Sequence, residues 1–227
     1  DNAMNHASIM AWGWFNEGPS QHAEACPAYA ACTNLTRTRD PTRFTTWATN
    51  RDLDDKCQEH ASLIAFNSYP KWYDDGDPTA QWNKFANAVR AGTGASGKHT
   101  VGKPFVISET GAGGIYEWFH NVTDVKWTLK YQTEIISADV DVALANDNIS
   151  GITLWHFFDF KVDDSQENNT HCEYVKGLYP PICAYIEIND RPGGANHKGV
   201  LDFWRRPKPV YEIVAAKYNA ANKPPVI

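Results

Sequence analysis

At 227 residues the chain can bury one sizeable core, or at most two small ones. A net charge of -6 offers no basic field for nucleic acid or an anionic membrane surface, and no apolar run is long enough to cross a bilayer. Nine Trp, ten Tyr and ten Phe stand out, because aromatics at that density line either a large core or a site that stacks the flat faces of sugar rings.

The first element predicted is a strand over Ser8–Phe15, a short apolar run that stops at Asn16-Glu17 and is broken by Gly-Pro. Arg43–Ala48 (RFTTWA) and Ala61–Asn67 (ASLIAFN) read as a second and a third strand. Gln81–Ala91 carries apolar residues at helical spacing and leads into GTGASGK (Gly92–Lys98), which lacks Walker spacing and reads as a flexible surface loop. Pro104–Ser108 (PFVIS) is a fourth strand, ending on Glu109. Val125–Asn146 is a long helical segment, Gly151–Phe160 a fifth strand, Lys161–His197 a long loop and Pro209–Asn219 a closing helix. Strand and helix alternate, and the strands are short apolar runs, which predicts an α/β fold with a parallel sheet, either doubly wound or a (β/α) barrel.

Five cysteines show no zinc-ligand spacing, so no metal is expected. Cys172 and Cys183 flank a loop that a disulfide could close, and among Cys26, Cys32 and Cys57 one is left over. With N-x-S/T sequons at Asn34, Asn121, Asn148 and Asn168, the cysteines favour a secreted or lumenal protein over one with free thiols in a reducing compartment.

Glu17 and Glu109 both close strands, at the end where parallel α/β folds build their sites. A single strand-end Glu is commonly a salt-bridge partner. Two of them, each beside aromatics and Gly, suit glycoside hydrolysis, where one carboxyl protonates the leaving oxygen and the other attacks the sugar.

NHASIMAWGWFNE resembles the acid/base strand of family 2 glycoside hydrolases, with Ala7 where that family usually has Pro. The resemblance implies Glu17 as general acid/base and Asn16 as a ligand of the sugar 2-hydroxyl. GKPFVISETG resembles the nucleophile strand and implies that role for Glu109. GITLWHFFDF resembles the last barrel strand, with Trp155 as the floor under the sugar, and GVLDFWRRPKPVYE resembles the closing Arg-Pro-Lys segment. NSYPKWY is similar to a β-glucuronidase segment, which implies site roles for Asn67, Tyr69 (to the nucleophile) and Tyr73. Asn196 and Lys198 match an Asn-x-Lys motif for the sugar carboxylate, and Arg191 lies one residue off the position of a carboxylate-binding Arg. Bland readings stand beside these: a solvated lysine for Lys198, a core tyrosine for Tyr69, barrel packing for Trp155, a structural role for His156. Trp14, Tyr116 and Trp118 are divided between aglycone contact and packing.

The expectation is thus a partial (β/α)8 TIM barrel, roughly strands four to eight with their helices, forming one domain over residues 1–227 without the family's first three strands or its β-sandwich domains. The implied chemistry is retaining double displacement on a β-glycoside, most like a β-glucuronide, with carboxyls about 5–5.5 Å apart and no cofactor. Alternatives are a β-galactosidase-like enzyme of neutral sugars and a half-barrel that only binds carbohydrate. Open sheet edges further predict self-association, or a partner that supplies the missing strands.

Overall fold

A computed structural model describes residues 3–118, 125–162, 173–174, 183–185 and 192–221. The chain divides into two compact units. The first comprises Asp1–Ser68, Ala80–Glu109 and Ala145–Ile152, and the second Tyr69–Thr79, Thr110–Leu144 and Thr153–Ile227.

The first unit is built on a sheet of order β1 (Ala11–Asn16), β2 (Phe44–Thr49), β3 (Ile64–Asn67), β4 (Phe105–Thr110) and β5 (Gly151–Leu154), whose first three pairings are parallel. All four residues of β3 are buried, as befits a strand covered on both faces. Phe66 meets Phe105 and Phe85 with ring centroids 5.0 and 5.6 Å apart. Helix α2 (Pro78–Ala91) buries Trp82, Phe85, Ala86 and Val89, the i, i+3, i+4, i+7 stripe that its sequence shows.

Two expectations need correction here. Helix α1 (Cys26–Arg39) falls where the sequence suggested no element. It buries only Tyr29 and Thr33, so it lacks the apolar stripe that marks a helix in sequence. Tyr29 fixes it by packing at a tilt against Phe15 and Trp47, with ring centroids 4.6 Å away in each case, and a Cys26–Cys57 disulfide ties its first turn. Cys32 is free, and a Cys172–Cys183 pairing lies outside the described residues. The GTGASGK loop is also anchored: Ser96 is buried, accepts from Gln58 N at 3.0 Å and donates to the Asp55 carbonyl at 2.7 Å.

The second unit holds α3 (Leu129–Ala145) up to Leu144 and α4 (Pro209–Ala221). Its core gathers Trp72, Ala112, Trp127, Tyr131 and Ile135, with Tyr69, Ile115 and Trp118 packed against them. The segment expected as a loop over Lys161–His197 contains short antiparallel pairings: β6 (Phe160–Lys161) with β9 (Ala195–Asn196), and β7 (Glu173–Tyr174) with β8 (Cys183–Tyr185). Strands of two or three residues are too short to register as an alternating pattern. The expected fifth strand over Gly151–Phe160 likewise ends at Leu154.

Candidate active site

In the first unit, Asn16 ends β1 and Glu17 follows with φ of 54°. That left-handed turn stops the strand, while Glu17 N–H donates to the Ala48 carbonyl at 2.8 Å. Asn67 ends β3, and its amide Nδ2 donates to Asn16 Oδ1 at 3.0 Å and to Glu17 Oε1 at 3.1 Å. Ser108 Oγ donates to Asn67 Oδ1 at 2.7 Å, which fixes which way the amide faces. Asn50, one residue past β2, donates to Glu17 Oε2 at 3.2 Å. Glu109 lies in β4 directly opposite Asn67 in the parallel register, and its carbonyl accepts from Ser68 N at 3.0 Å. The ends of β2 and β3 thus place amide donors on the carboxylate that the end of β1 supplies, and β4 adds Glu109 beside Asn67.

In the second unit, Lys198 is only 3% exposed. Its ammonium donates to Tyr73 Oη at 3.2 Å and lies 5.2 Å from the ring centroids of Trp72 and Tyr73 and 5.8 Å from that of Tyr69. Faces of aromatic rings are electron-rich and hold a cation in a dry setting. Asn196 Oδ1 accepts from Lys198 N at 3.1 Å and faces His156 Nε2 at 3.2 Å. A backbone N–H can only donate, so this oxygen assignment makes His156 Nε2 the second donor. Burial pushes the His156 pKa down, with the Asn196 contact opposing it, so the ring is neutral near pH 7.

Trp155 is 36% exposed, with its ring 5.3 Å from that of His156. Trp155 N–H donates to the Thr110 carbonyl at 2.8 Å. Gly111 makes this approach possible: its φ is 155°, and a Cβ there would lie 2.4 Å from the Trp155 carbonyl oxygen. Of the aromatics left open by sequence, Trp118 packs on the core cluster, Tyr116 lies 3.9 Å under the Arg206 guanidinium, and Trp14 approaches Trp47 at 6.3 Å.

Two groups of sequence-expected residues are therefore assembled: Asn16, Glu17, Asn67 and Glu109 in the first unit, and Tyr69, Tyr73, Asn196 and Lys198 in the second. Arg191 lies outside the described residues. Sequence reasoning missed Asn50 and Ser108. Asn50 carried a signal, since it lies two residues past the predicted strand Arg43–Ala48, just as Glu17 lies two past Ser8–Phe15.

A parallel sheet whose strand ends gather carboxylates and amides has the architecture of (β/α)-barrel hydrolases. Residues 1–178 match the family described as glycosyl hydrolases family 2, TIM barrel domain. The chain belongs to this family. It is 29% identical over 164 residues to a β-glucuronidase of Paenibacillus borealis, an alignment covering 69% of this chain and 26% of that protein. Its fold is similar to a family 2 β-galacturonidase of Eisenbergiella tayi bound to galacturonate, with TM-score 0.79 and 29% identity, covering 96% of this chain and 35% of the other. A β-D-glucuronidase of Dictyoglomus thermophilum gives TM-score 0.71 and 26% identity, covering 98% and 33%. The chain therefore spans about a third or less of the length of these relatives.

Proposed function

We propose that the chain carries catalytic residues of a retaining glycosidase that removes terminal β-D-glucuronic acid residues. The observation that carries this reading is Lys198: a buried ammonium among three aromatic rings suits a sugar carboxylate far better than a neutral hydroxymethyl group. In the proposed sequence the Glu109 carboxylate attacks the anomeric carbon while Glu17 protonates the departing oxygen. The glycosyl ester on Glu109 is then hydrolysed by a water that Glu17 deprotonates, returning both groups to their starting states. Asn16 holds the 2-hydroxyl, Tyr69 steadies Glu109, and Trp155 underlies the ring. Asn196 and Tyr73 complete the carboxylate site, and Arg191 is proposed as a further cation for it.

A second reading is favoured by the likeness to the Eisenbergiella tayi β-galacturonidase: the same carboxylate site serving the 4-epimer, a β-galacturonide. Hydrolysis of 4-nitrophenyl β-D-glucuronide, β-D-galacturonide and β-D-galactoside by the natural full-length protein decides among these. The expected result is activity on a uronide, lost in Glu109→Gln and impaired in Lys198→Ala. Activity confined to the galactoside overturns the uronide assignment, and sugar binding without turnover of any of the three overturns the enzymatic one.

Two further proposals concern context. The Cys26–Cys57 pair and the sequons at Asn34 and Asn148 support an extracellular or lumenal protein. β1 is an outer strand of the sheet among the described residues, and pairing onto it by another strand or a second copy is the proposed association, checked by sedimentation.

A further inference from the structure

The segment GVLDFWRRPK ends in Lys208, a lysine whose side chain is fully buried and whose donors are all used within the protein. Its ammonium donates to Asp159 Oδ1 at 2.8 Å, to the Gly114 carbonyl at 2.6 Å and to the His197 carbonyl at 3.0 Å. An ammonium has three N–H donors, so these three acceptors satisfy it completely. The acceptors come from three places in the second unit: the stretch after β4, the stretch after β5, and the backbone beside Lys198.

The connections converge on Lys198 from both sides. His197, before it, gives its carbonyl to Lys208 and also to Gly114 N–H at 2.9 Å. The His197 ring places Nδ1 at 3.4 Å from Asp159 Oδ2 and Nε2 at 2.8 Å from the Pro192 carbonyl. Gly199, after it, donates its N–H to Asp159 Oδ1 at 2.8 Å. The Gly199 carbonyl accepts from the buried Gln132 of α3 at 3.0 Å, and the same Nε2 donates to the Ala112 carbonyl at 3.0 Å. No side chain fits at Gly199: a Cβ there would lie 2.3 Å from Asp159 N and 2.4 Å from the Leu201 carbonyl oxygen. A buried, fully bonded ion pair is a poor source of net stability but a good source of fixed geometry.

We propose that the Asp159–Lys208 pair, braced by Gln132, is the positioning device that aims Lys198 at the sugar carboxylate. The inference rests on the uronide reading of Lys198. Asp159, Lys208 and Gln132 are positioning residues: they act on substrate only through Lys198.

The test compares Asp159→Asn/Lys208→Met, which leaves no buried charge unpaired, with Lys198→Ala and with the combination of all three, in the natural full-length protein. The probe is 4-nitrophenyl β-D-glucuronide. Misplacing a binding group by about 1 Å can cost as much as a hundredfold, so KM should rise roughly ten- to hundredfold with kcat little changed. Adding the pair of substitutions to Lys198→Ala should cause no further loss, because residues that act through one group are not additive. A drop in kcat with KM unchanged, or losses that add to those of Lys198→Ala, overturns the positioning role. If Lys198→Ala alone hydrolyses the glucuronide like the wild type, the uronide reading fails, and this inference falls with it. Should the double variant not fold, Gln132→Leu, which removes the brace on Gly199, is put through the same comparison with the same outcomes.

Discussion

The amide of Asn67 lies 3.1 Å from Glu17 Oε1 and 3.0 Å from Asn16 Oδ1, so one side chain at the end of β3 orients both polar residues at the end of β1. Asn67→Ala should therefore misplace the proposed acid/base rather than remove it. We expect kcat to fall by about a hundredfold. Stability should drop by roughly 0.5–1.5 kcal/mol, because the part-buried hydrogen bond from the Ser108 hydroxyl is lost. Steady-state kinetics and urea unfolding of the same preparation check both numbers.

Glu17→Ala should depend on the leaving group. With a poorly acidic alcohol as aglycone, loss of the general acid should slow the first step by roughly 10²–10⁴-fold. A dinitrophenolate leaves without protonation, so that substrate should react with Glu109 in a burst and then stall at deglycosylation. A linear trace with no burst for the activated substrate contradicts the assignment.

Glu17 has φ of 54°, a conformation that costs an L-residue with a Cβ about 1 kcal/mol and glycine nothing. Glu17→Gly and Glu17→Ala both lose the carboxylate, so comparing them isolates the backbone. Glu17→Gly should be the more stable by about 1 kcal/mol, read from denaturant midpoints at equal m-value. Equal midpoints would mean that the backbone at this position carries no strain.

The Cys26–Cys57 disulfide joins residues 31 apart in sequence. Replacing both by Ala should lower stability by about 2–4 kcal/mol, since the link restricts the unfolded chain. α1 buries little, so its amides should exchange fastest among the helices once the link is gone. Hydrogen exchange with and without the disulfide measures this.

Hydrogen bonds from Thr42, Trp12 and Arg43 hold the Asp40 carboxyl well below the ordinary carboxylate range. A folded-state pKa below the unfolded value of about 3.8 adds stability above that pH, and the contribution is lost as pH falls further. Asp40→Asn should thus lower stability at about pH 6 while reducing the further loss on acidification to about pH 3. Urea unfolding at the two pH values tests the difference, and an unchanged acid loss would show that other carboxyls set it.

Much of the fold was legible because its signals are local. β3 reads as a strand from the short apolar run ASLIAFN, and α2 from its Trp82, Phe85, Ala86, Val89 stripe. α1 was not, because Tyr29 and Thr33 are its only buried side chains and its attachment is made by Phe15, Trp47 and Cys57, all distant in sequence. The pairing of Phe160–Lys161 with Ala195–Asn196 was hidden for a related reason: two-residue strands are defined by their partners and have no period of their own.

The same division runs through the candidate site. Sequence alone determined the identities: two strands closing on Glu17 and Glu109, and an Asn-x-Lys segment at Asn196–Lys198 within a family 2 frame. Such features need only neighbouring residues, because a strand's end and its last side chain are written together. Only the tertiary structure decided what holds them. The Asn67 amide reaches Glu17 across 50 residues, and Lys208 reaches Asp159 across 49. Hydrogen bonds of that kind depend on strand register and helix packing, which bring together donors and acceptors that no local pattern relates.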